Sequence, residues 1–323
     1  MKKIAIVCGG YSGEYEISVK SAKVVKAHLN PEEYDSYVVV IQKDNWYHLS
    51  DDGVHTNIDK NDFSVTLNGR KILFDGVFNA IHGVPGEDGQ LLGYFEMLGL
   101  PYTSSNFTTS ALTFHKEFCK TIAAAAGANI SPSVIINRGD RYDKAKIIKA
   151  LALPLFIKPT RNGSSVGVTK VHNEEEFDIA VEKAFSAGDQ VMCEKFVKGR
   201  ELACTVMSVK GKTMVLPVTE VMPKNEFFDY EAKYTDGKSD EICPADLDEV
   251  SEIEVKATSA MLYEKFECKG FARFDYILTP EQLTFIEVNI VPGMSEASIM
   301  PKQAAVMGIS LDKLFGMALE NIF

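Results

Sequence analysis

The chain has 323 residues, 46% of them apolar and 24% charged, enough for two or three domains with real cores. A formal net charge of −11 excludes a general nucleic-acid binder, which carries a basic patch or stripe. It does not exclude an anionic small substrate, because local lysine, arginine or metal charge governs that. No run approaches the ~18 apolar residues of a membrane span. The apolar run after Met1-Lys2-Lys3 is too short for a signal peptide. The six cysteines lack Cys-x-x-Cys spacing and mostly sit among apolar residues. They read as reduced, buried thiols of a cytoplasmic protein.

Residues 3–8 read as a buried parallel strand. The turn Gly9-Gly10-Tyr11-Ser12-Gly13-Glu14 follows, and then Ile17, Val24, Val25 and Leu29 at helical spacing. Strand, glycine turn and helix open an α/β domain. The dinucleotide fingerprint Gly-x-Gly-x-x-Gly is absent, so that function is rejected. Strands are expected at 37–41 and 77–81, with a hairpin between them turning at Asn68-Gly69. The strand at 77–81 runs into a glycine-punctuated loop, His82 to Gly89, and an apolar helix from Leu91. The first domain closes near residue 110.

A single helix is expected over 107–127, with Gly127 as its C-cap and Lys116 as an ordinary solvated lysine. A helix near 143–151 precedes the strand Leu155 to Pro159, whose buried Lys158 needs a partner. The loop 161–168 offers glycine N–H groups and serine hydroxyls, including Ser164 and Ser165, to phosphate oxygens. It also reads as a plain hairpin turn, and it is not a Walker loop. Asn173 and Glu176 cap a helix to about residue 186. Strands follow at 190–197 and 202–209. Residues 222–246 read as a long polar loop, and such loops are commonly lids. An amphipathic helix over 248–266 is expected to bury Val250, Ile253, Ala257 and Met261. Two helices close the chain, with Leu311, Leu314, Phe315 and Ala318 as core.

Between them lies the densest chemistry: two strands, Phe271 onward and Phe285 onward, turning at Pro280. Alternation puts Arg273, Asp275 and Ile277 on one face and Phe285, Glu287 and Asn289 on one face. If the strands pair, an arginine, two carboxylates and an amide converge, an oxygen set suited to Mg²⁺. For the hairpin alone, an exposed face with an Arg–Asp surface pair is the competing reading.

Seven stretches in order resemble the D-alanine–D-alanine ligases, an ATP-grasp family. They are 9–18, 82–89, 158–167, 194–201, 229–234, 273–275 and 287–294, and the match runs nearly end to end. The resemblance implies an open α/β first domain (1–110) followed by an ATP-grasp pair: a central domain (111–200) and a C-terminal domain (201–323) with a lid loop and a metal site. It implies ATP as co-substrate, held by Lys116, Lys158, Ser165, Glu194, Lys195, Val197 and Glu201. It implies two Mg²⁺ ions, with Mn²⁺ as a substitute, on Asp275, Glu287 and Asn289. Glu14, Ser164 and Tyr234 match a triad that closes the lid, and Arg273 the residue that holds the reacting carboxylate and oxyanion. His82, Gly293, Ser298 and Ile299, with Glu14 and Arg273, match the substrate positions. The implied product is D-alanyl-D-alanine, for peptidoglycan precursors, from a homodimer without nucleic-acid or membrane partners. D-alanine–D-lactate and D-alanine–D-serine ligases are the alternatives. Tyr234 favours the dipeptide, because phenylalanine there goes with D-lactate. The family usually has Asn-Thr-x-Pro-Gly, whereas here Ile290 and Val291 stand between Asn289 and Pro292, and the chain also departs after Gly89. Residues 50–75 have little similarity. Other ATP-grasp ligases lack the motifs at 9–18 and 82–89, and a non-catalytic nucleotide sensor would not retain Lys158, Arg273, Asp275, Glu287 and Asn289 together.

Overall fold

A computed structural model describes residues 1–163, 165–223 and 239–323. Its first unit opens with β1 (Lys2–Gly9) and α1 (Tyr15–His28), followed by β2 (Tyr34–Ile41), β3 (Trp46–Leu49), β4 (His55–Asp59), β5 (Ser64–Leu67), β6 (Arg70–Ile72) and β7 (Gly76–Asn79). They form a seven-stranded sheet in the order β6-β5-β4-β3-β2-β1-β7. β1 is parallel to both neighbours, as its unbroken apolar run requires. The unassigned segment 50–75 extends this sheet as an antiparallel meander, and Asn68 and Gly69 take the positive φ of a two-residue hairpin turn. α2 (Gln90–Leu98) closes the unit.

The stretch expected as one helix over 107–127 is two, α3 (Phe107–Phe114) and α4 (Lys116–Ala125). His115 between them is extended, and the Lys116 N–H is donated to the Thr160 carbonyl at 2.9 Å instead of continuing a helix. The central sheet holds β8 (Ser133–Asn137), β9 (Leu155–Pro159), β10 (Thr169–Val171) and β11 (Gln190–Lys195), in the order β10-β9-β11-β8. α5 (Lys144–Leu151) and α6 (Glu175–Ser186) pack on it and form a core of its own.

The third sheet contains β12 (Arg200–Val209), β13 (Lys212–Val215), β14 (Thr219–Pro223), β15 (Ser239–Ile242), β16 (Phe271–Leu278) and β17 (Leu283–Asn289). The expected 222–246 loop is thus bounded by paired strands, β14 against β15, on both sides of the residues not described. α7 (Glu249–Lys265) precedes β16, and α8 (Ile299–Val306) and α9 (Leu311–Glu320) follow β17. α7 buries a different stripe from the one expected: Val250 and Ile253 are exposed, whereas Val255, Ser259, Leu262 and Tyr263 are buried. The inward serine is tolerated because its hydroxyl lies 2.9 Å from the buried Tyr276 hydroxyl. In the other closing stripe Leu314, Phe315 and Ala318 are fully buried, and Leu311 is half-buried against the same core. Through α9 the first and third sheets share one core, in which the Phe78 and Phe315 rings meet edge to face at 5.7 Å. All six cysteines are free, and burial pushes the Cys193 and Cys204 thiols up to about 12. Among the described residues no helix is long and apolar enough to cross a membrane.

Candidate active site

The central and third sheets face each other across a cavity of about 680 Å³. On the central side, β9 carries Lys158 and β11 carries Glu194; Lys158 lies opposite Met192, two positions from Glu194, so both side chains share one face. Lys158 Nζ donates to Glu194 Oε2 at 2.5 Å, which supplies the partner that a buried lysine requires. The other oxygen, Oε1, accepts from Lys120 on α4, a residue that sequence reasoning missed. Lys120 also donates to the Ser131 carbonyl at 3.1 Å, and the Ser131 hydroxyl donates to the Lys195 carbonyl at 2.6 Å. Burial, and then the Lys158 ammonium, press the Lys120 amine down to about 6. A lysine on the buried stripe of an amphipathic helix, between Cys119 and Ala123, is the sequence signal that could have found it.

The third sheet supplies the opposite wall. Arg273 lies opposite Asn289 and Asp275 opposite Glu287, so these four side chains share a face. Strict alternation from Phe285 fails here. A bulge between Asp275 and Tyr276 makes Tyr276 the partner of Phe285, whose ring turns into the core, while Ile286 and Glu287 both line the cavity. Phe285 therefore does not share the face of Glu287, as alternation had suggested. Arg273 holds Asp275 through two bonds, at 2.8 and 2.9 Å. Lys116 enters from the start of α4 and is not a solvated lysine. Its ammonium donates to the Asn162 carbonyl at 2.7 Å and lies 3.7 Å from Glu287 Oε2. The break at His115 is what aims it inward.

Lys116, Lys158, Ser165, Glu194, Lys195, Val197, Glu201, Arg273, Asp275, Glu287 and Ile299 all line this cavity. Glu14, His82, Asn289, Gly293 and Ser298 do not line it. Glu14 is buried, and a β-carbon added at Gly163 would stand 3.1 Å from its Oε2, so the first unit meets the serine-rich loop there. The Ser298 hydroxyl pairs with that of Ser295 at 2.8 Å and would lie 2.7 Å from a β-carbon at Gly293. His82 is buried with both ring nitrogens engaged, by Ser21 and by the Val291 carbonyl. Ser164, Tyr234 and the motif 229–234 lie outside the described residues.

Family models described as the D-ala D-ala ligase N-terminus and C-terminus match residues 3–105 and 122–320. The D-alanine–D-alanine ligase of Flavobacterium johnsoniae is 43% identical over 320 residues, covering 99% of each chain. The chain belongs to the D-Ala–D-Ala ligase family. Among solved structures, the VanG D-Ala:D-Ser ligase from Enterococcus faecalis is 32% identical, with a TM-score of 0.89, covering 100% of this chain and 99% of that one. The D-alanine–D-alanine ligase of Bacillus anthracis complexed with ATP is 26% identical, with a TM-score of 0.79, covering 99% of this chain and 97% of that one. The two facing sheets around the cavity are thus the ATP-grasp architecture, and the first sheet is the part that the ligase N-terminal model covers.

This member of the ligase family also has a donor set that fits a hard cation. Asp275 and Glu287 are cross-strand partners, and Asn289 is the next residue on the same face. Among the described residues no group of three or more His, Cys, Asp or Glu is arranged to hold a metal ion on its own. Two carboxylates and an amide oxygen are what Mg²⁺ takes when substrate phosphates complete its shell.

Proposed function

We propose that this chain joins two D-alanines into D-alanyl-D-alanine at the expense of ATP, releasing ADP and phosphate. The observation that carries the reading is the meeting of Lys158–Glu194 and Asp275–Glu287 across one cavity, in a chain that matches D-alanine–D-alanine ligases over its whole length. Residues 1–110 hold the first D-alanine, and 111–200 and 201–323 clamp the nucleotide between them. The ATP-bound relative supports the nucleotide assignment. A homodimer is the assembly we expect.

The chemistry follows from charge. A D-alanine carboxylate oxygen attacks the γ-phosphorus, and the β–γ bridging oxygen leaves with its electron pair on ADP. The acyl phosphate then meets the amine of the second D-alanine. Nitrogen attacks the acyl carbon, the carbon–oxygen bond to phosphate breaks, and the amine sheds a proton. In the first step like charges approach, and a unit pair at 4 Å costs about 4 kcal/mol at an effective dielectric of 20. Lys116, Lys158 and Arg273 offset that repulsion. Mg²⁺ held by Asp275, Glu287 and Asn289 would add charge stabilisation worth several kcal/mol. Glu194 and the Lys195–Val197 backbone face the base, and Glu201 the ribose. Arg273 orients the carboxylate and, with the backbone at Gly293, stabilises the oxyanion. Ser298 and the backbone at Ile299 take the second carboxylate. Glu14, Ser164 and Tyr234 close the site, because an acyl phosphate hydrolyses where water reaches it.

The test is ADP release with ATP, Mg²⁺ and one of four acceptor conditions: D-alanine, L-alanine, D-alanine plus D-serine, or D-alanine plus D-lactate. Stimulation by D-alanine alone, with the dipeptide as product, is expected. Release only with D-serine or D-lactate would transfer the chain to those ligases, and no response to any of them would overturn the substrate reading.

A further inference from the structure

The loop after β17 carries Asn289 at one end and Gly293 at the other, and Val291 sits between them. Both backbone polar groups of Val291 are taken by side chains more than 200 positions away. Its N–H is donated to Glu87 Oε1 at 3.2 Å and shared with Asn289 Oδ1 at 3.3 Å. Its carbonyl accepts from His82 Nδ1 at 2.8 Å. The second Glu87 oxygen accepts the Gly83 N–H at 2.7 Å, so the same carboxyl bridges the two loops. The His82 Nε2 lies 2.9 Å from the Ser21 hydroxyl on α1. Burial holds the imidazole below its ordinary range, hence neutral, so Nδ1–H donates to Val291 and Nε2 accepts from Ser21.

We propose that Glu87 and His82 are positioning residues, a clasp from the first unit that fixes the Asn289–Gly293 loop and so sets the distance between the first-substrate pocket and the metal and oxyanion groups. The proposal rests on the ligase reading for its kinetic consequence, but not for its geometry. The clasp grips backbone only. Any non-proline residue at position 291 offers the same N–H and C=O, so the clasp does not depend on the Val291 side chain. Fixing this loop matters because misplacement by about 1 Å costs an enzyme on the order of a hundredfold.

Glu87→Gln tests it. Glutamine keeps one acceptor and turns an N–H₂ toward the other backbone N–H, so one arm of the bridge is lost. Hydrogen–deuterium exchange on the full-length protein without ligands reads the clasp directly. Residues 290–293 should exchange at least about fivefold faster in the variant, with β9 and β11 unchanged. Steady-state kinetics should show kcat/KM for D-alanine about tenfold to a hundredfold lower, with the KM for ATP within about twofold. Unchanged exchange at 290–293 would overturn the clasp, as would equal rises in both KM values. Should Glu87→Gln fail to fold, Ser21→Ala carries the same test through His82. Because the exchange measurement uses no substrate, a wild-type protein inactive toward D-alanine would contradict the ligase reading and leave the clasp to be decided by exchange alone.

Discussion

Glu194 holds a buried carboxylate between two lysines, the Lys158 ammonium and the Lys120 amine, whose proton affinity burial lowers. Removing one partner from a buried ion pair leaves charge uncompensated, a loss of about 3–5 kcal/mol for an isolated pair. Here Lys158 remains, so Lys120→Met should cost less, about 2 kcal/mol by urea unfolding. Because Lys120 also ties Ser131 to the Lys195 backbone, the KM for ATP should rise about tenfold with little change in kcat. An unaltered KM for ATP would separate Lys120 from the nucleotide site. Glu87 supplies a pH signature. Burial, then the Glu14 carboxylate, raise its carboxyl from 4.5 to about 8. The folded state therefore keeps a proton that the unfolded chain releases above about 4.5. This contribution to stability is full below that pH and is lost as pH rises through 8. The Tm of the wild type relative to Glu87→Gln should fall between pH 5 and pH 9, and a constant difference would contradict the assignment.

At the scale of elements, what was legible in the sequence was what strong local patterns dictate: the parallel β1, the Asn68-Gly69 hairpin, the capped α6 and the paired β16 and β17. What was not legible was set by tertiary competition. Nothing local stops a helix at His115; the break depends on the Thr160 carbonyl, reached across the fold. The stripe of α7 was misjudged because its inward face includes Ser259, whose partner Tyr276 lies on β16. The bulge in the third sheet is invisible to alternation, yet it brings Glu287 opposite Asp275. The residues of the cavity were largely named from motifs; Lys120 lies outside them, and Glu87 lies within 82–89 without a role assigned, because both roles are made by distant contacts. The turn from β11 to β12 carries one further consequence. A β-carbon at Gly199 would meet the Leu278 carbonyl at 2.3 Å and Ile277 Cγ2 at 2.7 Å. Gly199→Ala must push β12 away from β16 beside the cavity, destabilising by about 1–3 kcal/mol. Its KM for ATP should rise as well, and wild-type values for both thermal stability and KM would show that the turn yields freely.

Across the whole molecule, the first and third sheets share a continuous core through Phe78 and Phe315, while the central sheet has its own around Ile157, Phe177 and Val191. The first unit and the sheet bearing Asp275 and Glu287 are thus built as one body, further joined by the side-chain bonds to the Val291 backbone. The central sheet, with Lys158 and Glu194, meets that body across the cavity. Such a division suits a clamp: in the proposed reaction one wall would carry the metal ligands and first substrate in fixed relation, and the other would deliver the nucleotide. The account stands on the carboxylate, and not water, attacking the phosphorus. D-alanine labelled with ¹⁸O in its carboxyl group tests this directly, by mass analysis of the phosphate released during turnover. The account predicts one labelled oxygen in each phosphate, carried over when the acyl phosphate breaks; phosphate free of label would contradict it.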